Sequence, residues 1–134
     1  MSDAHFRDLP ARPDTAGYSD IVVADGFAFL AGKVAADSPQ PVALGNIEDE
    51  TRACMELLGA ALKLAGLGFE DVVRANVCMT KLDEFERMDA VYRTYFGKGR
   101  MPARTTIGAA ELVFGCRVEI DFVARAKASS VARR

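Results

Sequence analysis

The sequence predicts a two-layer α+β sandwich, a mixed sheet with two helices on one face in the order ββαβαββ. Three observations predict it. An Asp25-Gly26 pair joins two β-rich runs, two amphipathic helical segments each stand between strands, and the last strand alternates strictly between apolar and polar residues. Alternation with period two marks a half-buried strand, whereas recurrence at three and four marks a helix face.

The first hairpin covers residues 18–24 and 27–31. Asp-Gly between such runs is a strong hairpin signal because a type I′ turn needs positive φ at both central residues. Residues 32–45 include Asp37, Ser38, Pro39 and Pro41 and read as a loop. The first helix is expected from Asn46. Asn is a good N-cap, and Asp49 occupies the capping-box position. Ala53, Cys54, Leu57, Leu58, Ala61, Leu64 and Ala65 then form one apolar face, and Gly66 and Gly68 supply the stop.

Residues 72–80 read as the next strand, with Val73, Ala75, Val77 and Met79 toward the core. The second helix is expected from Asp83, with Glu86 as capping partner, a stripe of Phe85, Met88, Tyr92 and Tyr95, and an end at Gly97. A loop reaches Pro102. Residues 104–109 read as a strand because Thr105, Thr106 and Ile107 are β-branched. Gly115 marks a turn. Residues 117–124 form the last strand, with Val118, Ile120, Phe122 and Ala124 on one face and Glu119, Asp121 and Val123 on the other. One domain spans residues 1–134, with its core over about 17–125. Residues 1–16 read as an extended lead-in and the last eight or so as a frayed end. Helices on one side leave the other sheet face uncovered, so a closed homo-oligomer is expected.

Composition excludes several function classes. Net charge is −2 and the sequence pI about 5.4, against the basic patch of a nucleic-acid binder. The basic cluster of Arg125, Lys127, Arg133 and Arg134 reads as a solvated tail. No stretch reaches a membrane span, and residues 1–16 lack the apolar segment of a signal peptide. Three cysteines, 24 and 38 residues apart, match no metal or haem spacing and fit free thiols in the cytoplasm. His5 is the single histidine, which removes Ser-His-Asp and Cys-His catalysis and multi-histidine metal sites. Neither a P-loop nor GxGxxG occurs. No cofactor and no metal are expected.

The remaining candidates are charged, aromatic and glycine positions. Arg104 follows a Pro-containing loop and opens an uncharged run. By position alone it reads first as an ion pair within its own fold, and it also suits bidentate capture of a carboxylate. Glu119 is a carboxylate in a central strand, fit for a salt bridge or for general-base work. Tyr18 at a strand start reads as packing or as a ligand wall. Gly32 permits close backbone approach to a ligand. Lys33 and Asp89 read as solvated positions, and Cys116 carries nothing that would stabilise a thiolate.

Taken together, several segments resemble the RidA family, also called YjgF-type or endoribonuclease L-PSP proteins. They are Tyr18-Ser19, residues 29–32, Asn46-Ile47-Glu48 with Thr51-Arg52, Asp71-Val72-Val73, Val91-Tyr92 with Tyr95-Phe96, Pro102-Ala103-Arg104-Thr105-Thr106 and Val118-Glu119-Ile120. The resemblance implies a chorismate-mutase-like fold assembled as a homotrimer with clefts between subunits. It implies an enamine/imine deaminase that converts small 2-imino acids such as 2-aminoacrylate into 2-keto acids and ammonia. It gives Arg104 the substrate carboxylate, Glu119 the water and proton transfer, Tyr18 a place in the cleft wall, and Gly32 and Thr106 backbone contacts. Family members commonly read Ser-Gly-Gln where this chain reads Ala31-Gly32-Lys33, and asparagine where it has Asp89. Lys33 and Asp89 thereby become candidate substrate contacts. The alternatives are a non-catalytic trimer that binds a 2-keto acid, and an endoribonuclease.

Overall fold

The computed structural model describes residues 4–126. The basic positions Lys127, Arg133 and Arg134 of the expected tail lie outside the described residues. Two helices pack on a six-stranded mixed sheet: β1 (His5–Arg7), β2 (Ile21–Ala24), β3 (Phe27–Lys33), α1 (Ile47–Leu64), β4 (Val72–Met79), α2 (Phe85–Tyr92), β5 (Ala103–Gly108) and β6 (Val118–Arg125). The spatial order is β1-β2-β3-β6-β4-β5. Among the described residues only β4 and β5 pair in parallel. β6, last in sequence, is inserted at the centre between β3 and β4.

The hairpin forms as its turn chemistry dictates, with Asp25 and Gly26 at φ 52° and 85°. Asn46 caps α1 by accepting the Asp49 N–H at 2.9 Å. The helix ends in a Schellman motif: Gly66, at φ 72°, donates to the Lys63 carbonyl and Leu67 to that of Leu62. Glu50 is fully buried in α1, where its carboxylate accepts the Gly45 N–H at 2.7 Å and the Arg117 N–H at 2.8 Å. It pins the loop before α1 to the start of β6. The core lies between helices and sheet, with Ile21, Val23, Leu58, Leu62, Val77, Met79, Tyr92, Ile120 and Phe122 at its heart.

Four expectations change. The lead-in contains β1, tied down because Leu9 donates to Asp20 and Asp20 to Asp8. Residues 32–45 are not all loop, since β3 runs to Lys33 and a 3-10 turn follows at Ala35–Asp37. Val73 is exposed and Val72 takes its core place, because a register shift falls between residues 72 and 74. The second helix begins at Phe85 without a side-chain cap and ends at Tyr92, flanked by 3-10 turns at Leu82–Glu84 and Arg93–Tyr95. Glu84 is instead engaged by Arg117 Nη1 at 3.0 and 3.1 Å.

The sheet face away from the helices carries Phe6, Phe27, Phe29, Val73 and Ile107, all exposed. It also carries the polar row Asp121, Asn76 and Thr105, and beside it Glu119 and Cys78.

Candidate functional site

Strand register decides which way each candidate points. Arg104 and Thr106 pair with Ala75 and Val77, which are fully buried under the helices, so both face the helix layer. Pro102 and β5 bring Arg104 beneath α2. There its guanidinium lies 5.2 Å from the centre of the Phe85 ring and 4.8 Å from that of Tyr92. Residues 85 and 92 are seven apart, two helical turns, so the rings share a face and clamp a planar cation. Arg104 Nη1 donates to Asp89 Oδ1 at 2.5 Å, and Arg93 Nε donates to Asp89 Oδ2 at 3.3 Å. Asp89 is therefore a paired carboxylate rather than a solvated position. These groups open on a cavity of about 230 Å³ lined by Asp89, Tyr92, Arg93, Met101, Pro102 and Arg104. The Thr106 hydroxyl, two residues along β5 from Arg104, is buried without a hydrogen-bond partner. Burial pushes the Tyr92 hydroxyl up, an effect the positive charge of Arg104 opposes.

Glu119 pairs with Cys78 on β4 and points to the other face of the sheet. Burial holds its carboxyl above the usual carboxylate range, and the negative charges of Asp121 and Asp37 add to the rise. Gly32 makes room for it: a methyl group at residue 32 would fall 2.5 Å from Glu119 Oε2 and 3.2 Å from its Cδ and Cγ. Asp121 accepts from Asn76 Nδ2 at 2.9 Å.

Tyr18 and Lys33 occupy a third place. Lys33 is buried and donates to Asp20, itself fully buried. This corrects the expectation of a solvated loop lysine, for β3 turns the side chain inward. The Lys33 ammonium lies 5.3 Å from the centre of the Tyr18 ring. Both border a cleft of about 300 Å³ with Arg12, Asp37 and Phe114. Tyr18 itself is exposed, and partial burial and nearby Asp37 and Asp20 raise its hydroxyl. Cys116 is buried, and burial raises its thiol, as it does those of Cys54 and Cys78. None is poised as a thiolate nucleophile. A larger cavity, about 620 Å³, lies between residues 38–43 and α1 and meets the Tyr18–Lys33 cleft at Ser38, Pro39 and Leu57.

Sequence reasoning missed Phe85 and Tyr92 as a clamp, since their spacing equally marks a core-facing stripe. It also missed Asp20, whose partner lies across the hairpin. Within one copy, Arg104 with Asp89 and Thr106 forms one group, and Glu119 with Gly32 another. The two groups lie on opposite faces, with β4 between their strands.

Among the described residues, no group of three or more His, Cys, Asp or Glu side chains is placed to hold a metal ion. No described helix is long and apolar enough to cross a membrane. The family model described as endoribonuclease L-PSP matches residues 10–126. A RutC family protein of Synechocystis is 37% identical over 110 residues, covering 80% of this chain and 84% of the relative. The 2-iminobutanoate/2-iminopropanoate deaminase of Rattus norvegicus is 32% identical over 108 residues, covering 80% and 78%. The crystal structure of a putative endoribonuclease from Thermotoga maritima superposes with a TM-score of 0.82 at 30% identity, covering 92% of this chain and 98% of that one.

Proposed function

The chain belongs to the endoribonuclease L-PSP family, the RidA or YjgF proteins, and on that premise we propose that it is a deaminase of small 2-imino acids, working in a homotrimer in the cytoplasm. The observation that carries the reading is the guanidinium of Arg104, clamped between Phe85 and Tyr92 and open to a cavity. A rigid planar fork beside a small cavity suits a carboxylate. Such a charge-assisted contact contributes about 1.5–3 kcal/mol, or roughly 10- to 150-fold in affinity.

Glu119 supplies the proton chemistry from a neighbouring copy, whose uncovered sheet face lies against the β5 edge of this one, where the Arg104 cavity opens. Water attacks the imine carbon. With the imine protonated, as the C–O bond forms one water proton passes to Glu119 and the C=N electron pair moves to nitrogen, giving a neutral carbinolamine. Glu119 returns that proton to the amino nitrogen, the C–N bond breaks as the hydroxyl O–H pair becomes the C=O bond, the hydroxyl proton passes to Glu119 and on to solvent, and ammonia and the 2-keto acid are left. The imine carbon is already electrophilic, so the chain's tasks are to orient substrate and water and to move a proton. A carboxylate whose carboxyl is raised by burial is a stronger base than an exposed one, which fits that task. Gly32 leaves space for that carboxylate, and Thr106 stands two residues beyond Arg104 on the same face. Tyr18 walls the β3 side of the cleft. Lys33, paired with Asp20, acts there as a fixed positive charge beneath Tyr18.

The test generates imines in situ with an amino-acid oxidase and follows keto acid and ammonia release. Wild type accelerates release and Arg104→Ala loses at least 10-fold. Equal rates with and without the protein would end the reading. One feature favours a second reading, a non-catalytic trimer that binds 2-keto acids: Ala31 stands where the family commonly has serine. Stabilisation by pyruvate or 2-ketobutyrate without turnover would identify it.

A further inference from the structure

We propose that Asp89 determines specificity at this site by reading a nitrogen cation next to the carboxylate held by Arg104, so that 2-iminium and 2-amino acids are preferred over 2-keto acids. The inference rests on the reading of Arg104 as carboxylate-binding and adds a partner to it. Asp89 and Arg104 touch, and both line the same cavity. Each retains capacity. An ionised carboxylate has about four acceptor positions, of which the contacts with Arg104 and Arg93 use two; a guanidinium has about five N–H donors, of which Asp89 takes one. The pair thus offers spare donors and spare acceptors side by side.

A 2-iminium acid carries the complementary pattern, a carboxylate and an N–H cation on adjacent carbons. A 2-keto acid carries the carboxylate alone, and its carbonyl oxygen would face Asp89 as acceptor against acceptor. Asp89 is oriented by Arg104 on one oxygen and by Arg93, at 3.3 Å, on the other. Arg104 is likewise fixed by the two rings. For the family's reaction this arrangement separates substrate from product, because the iminium nitrogen that Asp89 accepts from is the one lost. An asparagine amide at residue 89 would offer both a donor and an acceptor and would discriminate less.

The test titrates the full-length protein with L-alanine and with pyruvate, which share a carbon skeleton, in wild type, Asp89→Asn, Asp89→Glu and Arg104→Ala. Wild type binds alanine more tightly than pyruvate. Asp89→Asn lowers the alanine-to-pyruvate affinity ratio about 10-fold or more, and Asp89→Glu restores part of it. A change in packing or stability would weaken both ligands together and leave the ratio where it was. If Asp89→Asn leaves the ratio unchanged while Arg104→Ala abolishes both ligands, the inference fails and the carboxylate reading stands. If Arg104→Ala leaves both affinities unchanged, the carboxylate reading fails and the inference with it.

Discussion

Arg104 and Glu119 leave opposite faces of one sheet. Arg104 sits opposite buried Ala75 and reaches into the helix layer, while Glu119 sits opposite Cys78 on the uncovered face. β4 lies between their strands, so they stand about 10 Å apart along the sheet before its thickness is counted. On opposite faces, they do not meet at one small substrate within one copy. A site that uses both needs a second copy.

The uncovered face should therefore be an interface. Phe29 stands at its centre with 47% of its surface exposed. Phe29→Asp places a charge there without touching the core. It should shift sedimentation to the monomer, leave the far-ultraviolet circular dichroism unchanged and abolish turnover. A monomer with full activity would contradict the shared site.

Gly32 is predicted to be intolerant for a reason of space. Its backbone does not take a positive φ, so alanine is allowed by the chain. The added methyl group would displace the Glu119 carboxylate. Gly32→Ala should lower kcat by about 100-fold, the scale of a misplaced general base, while pyruvate binding through Arg104 changes little. Loss of binding with kcat preserved would reverse that assignment.

The pH profile carries a sign. Glu119 acts as a base only when ionised, and its carboxyl is held up first by burial and then by Asp121 and Asp37. Turnover should fall as pH drops through a limb lying above the ordinary carboxylate range. Asp121→Asn removes one of the negative charges and should move that limb to lower pH. A limb unmoved by Asp121→Asn would count against Glu119 as the titrating base.

Lys33 and Asp20 form a buried ion pair. Removing one partner strands the other charge. Lys33→Met should cost about 3–5 kcal/mol of stability in urea denaturation. Adding Asp20→Asn should recover part of it, because the asparagine oxygen can still accept the Leu9 N–H that Asp20 holds at 2.7 Å. A cost below about 1 kcal/mol for the single variant would mean the pair is solvated.

Much of this was legible in the sequence because local chemistry and period agree there. Asp25-Gly26 specified its turn, Asn46 and Gly66 bounded α1, and the alternation of β6 placed Glu119 opposite the core. What escaped were relationships between distant residues. Lys33 resembles any loop lysine until Asp20, across the hairpin, is seen to meet it. Phe85 and Tyr92 give the same periodic signal whether they fill a core or clamp a guanidinium. A register shift of one residue exposed Val73. Three residues were too few for β1 to announce itself in a polar lead-in.

The shared site is tested most directly by mixing two inactive variants, Arg104→Ala and Glu119→Gln, and allowing subunits to exchange. An interface joining an intact Arg104 from one copy to an intact Glu119 from the other is whole. Random mixing in equal amounts should restore about a quarter of wild-type imine hydrolysis, the fraction of interfaces with both groups intact. Mixed oligomers that form and remain as inactive as either parent would contradict a site built from two copies.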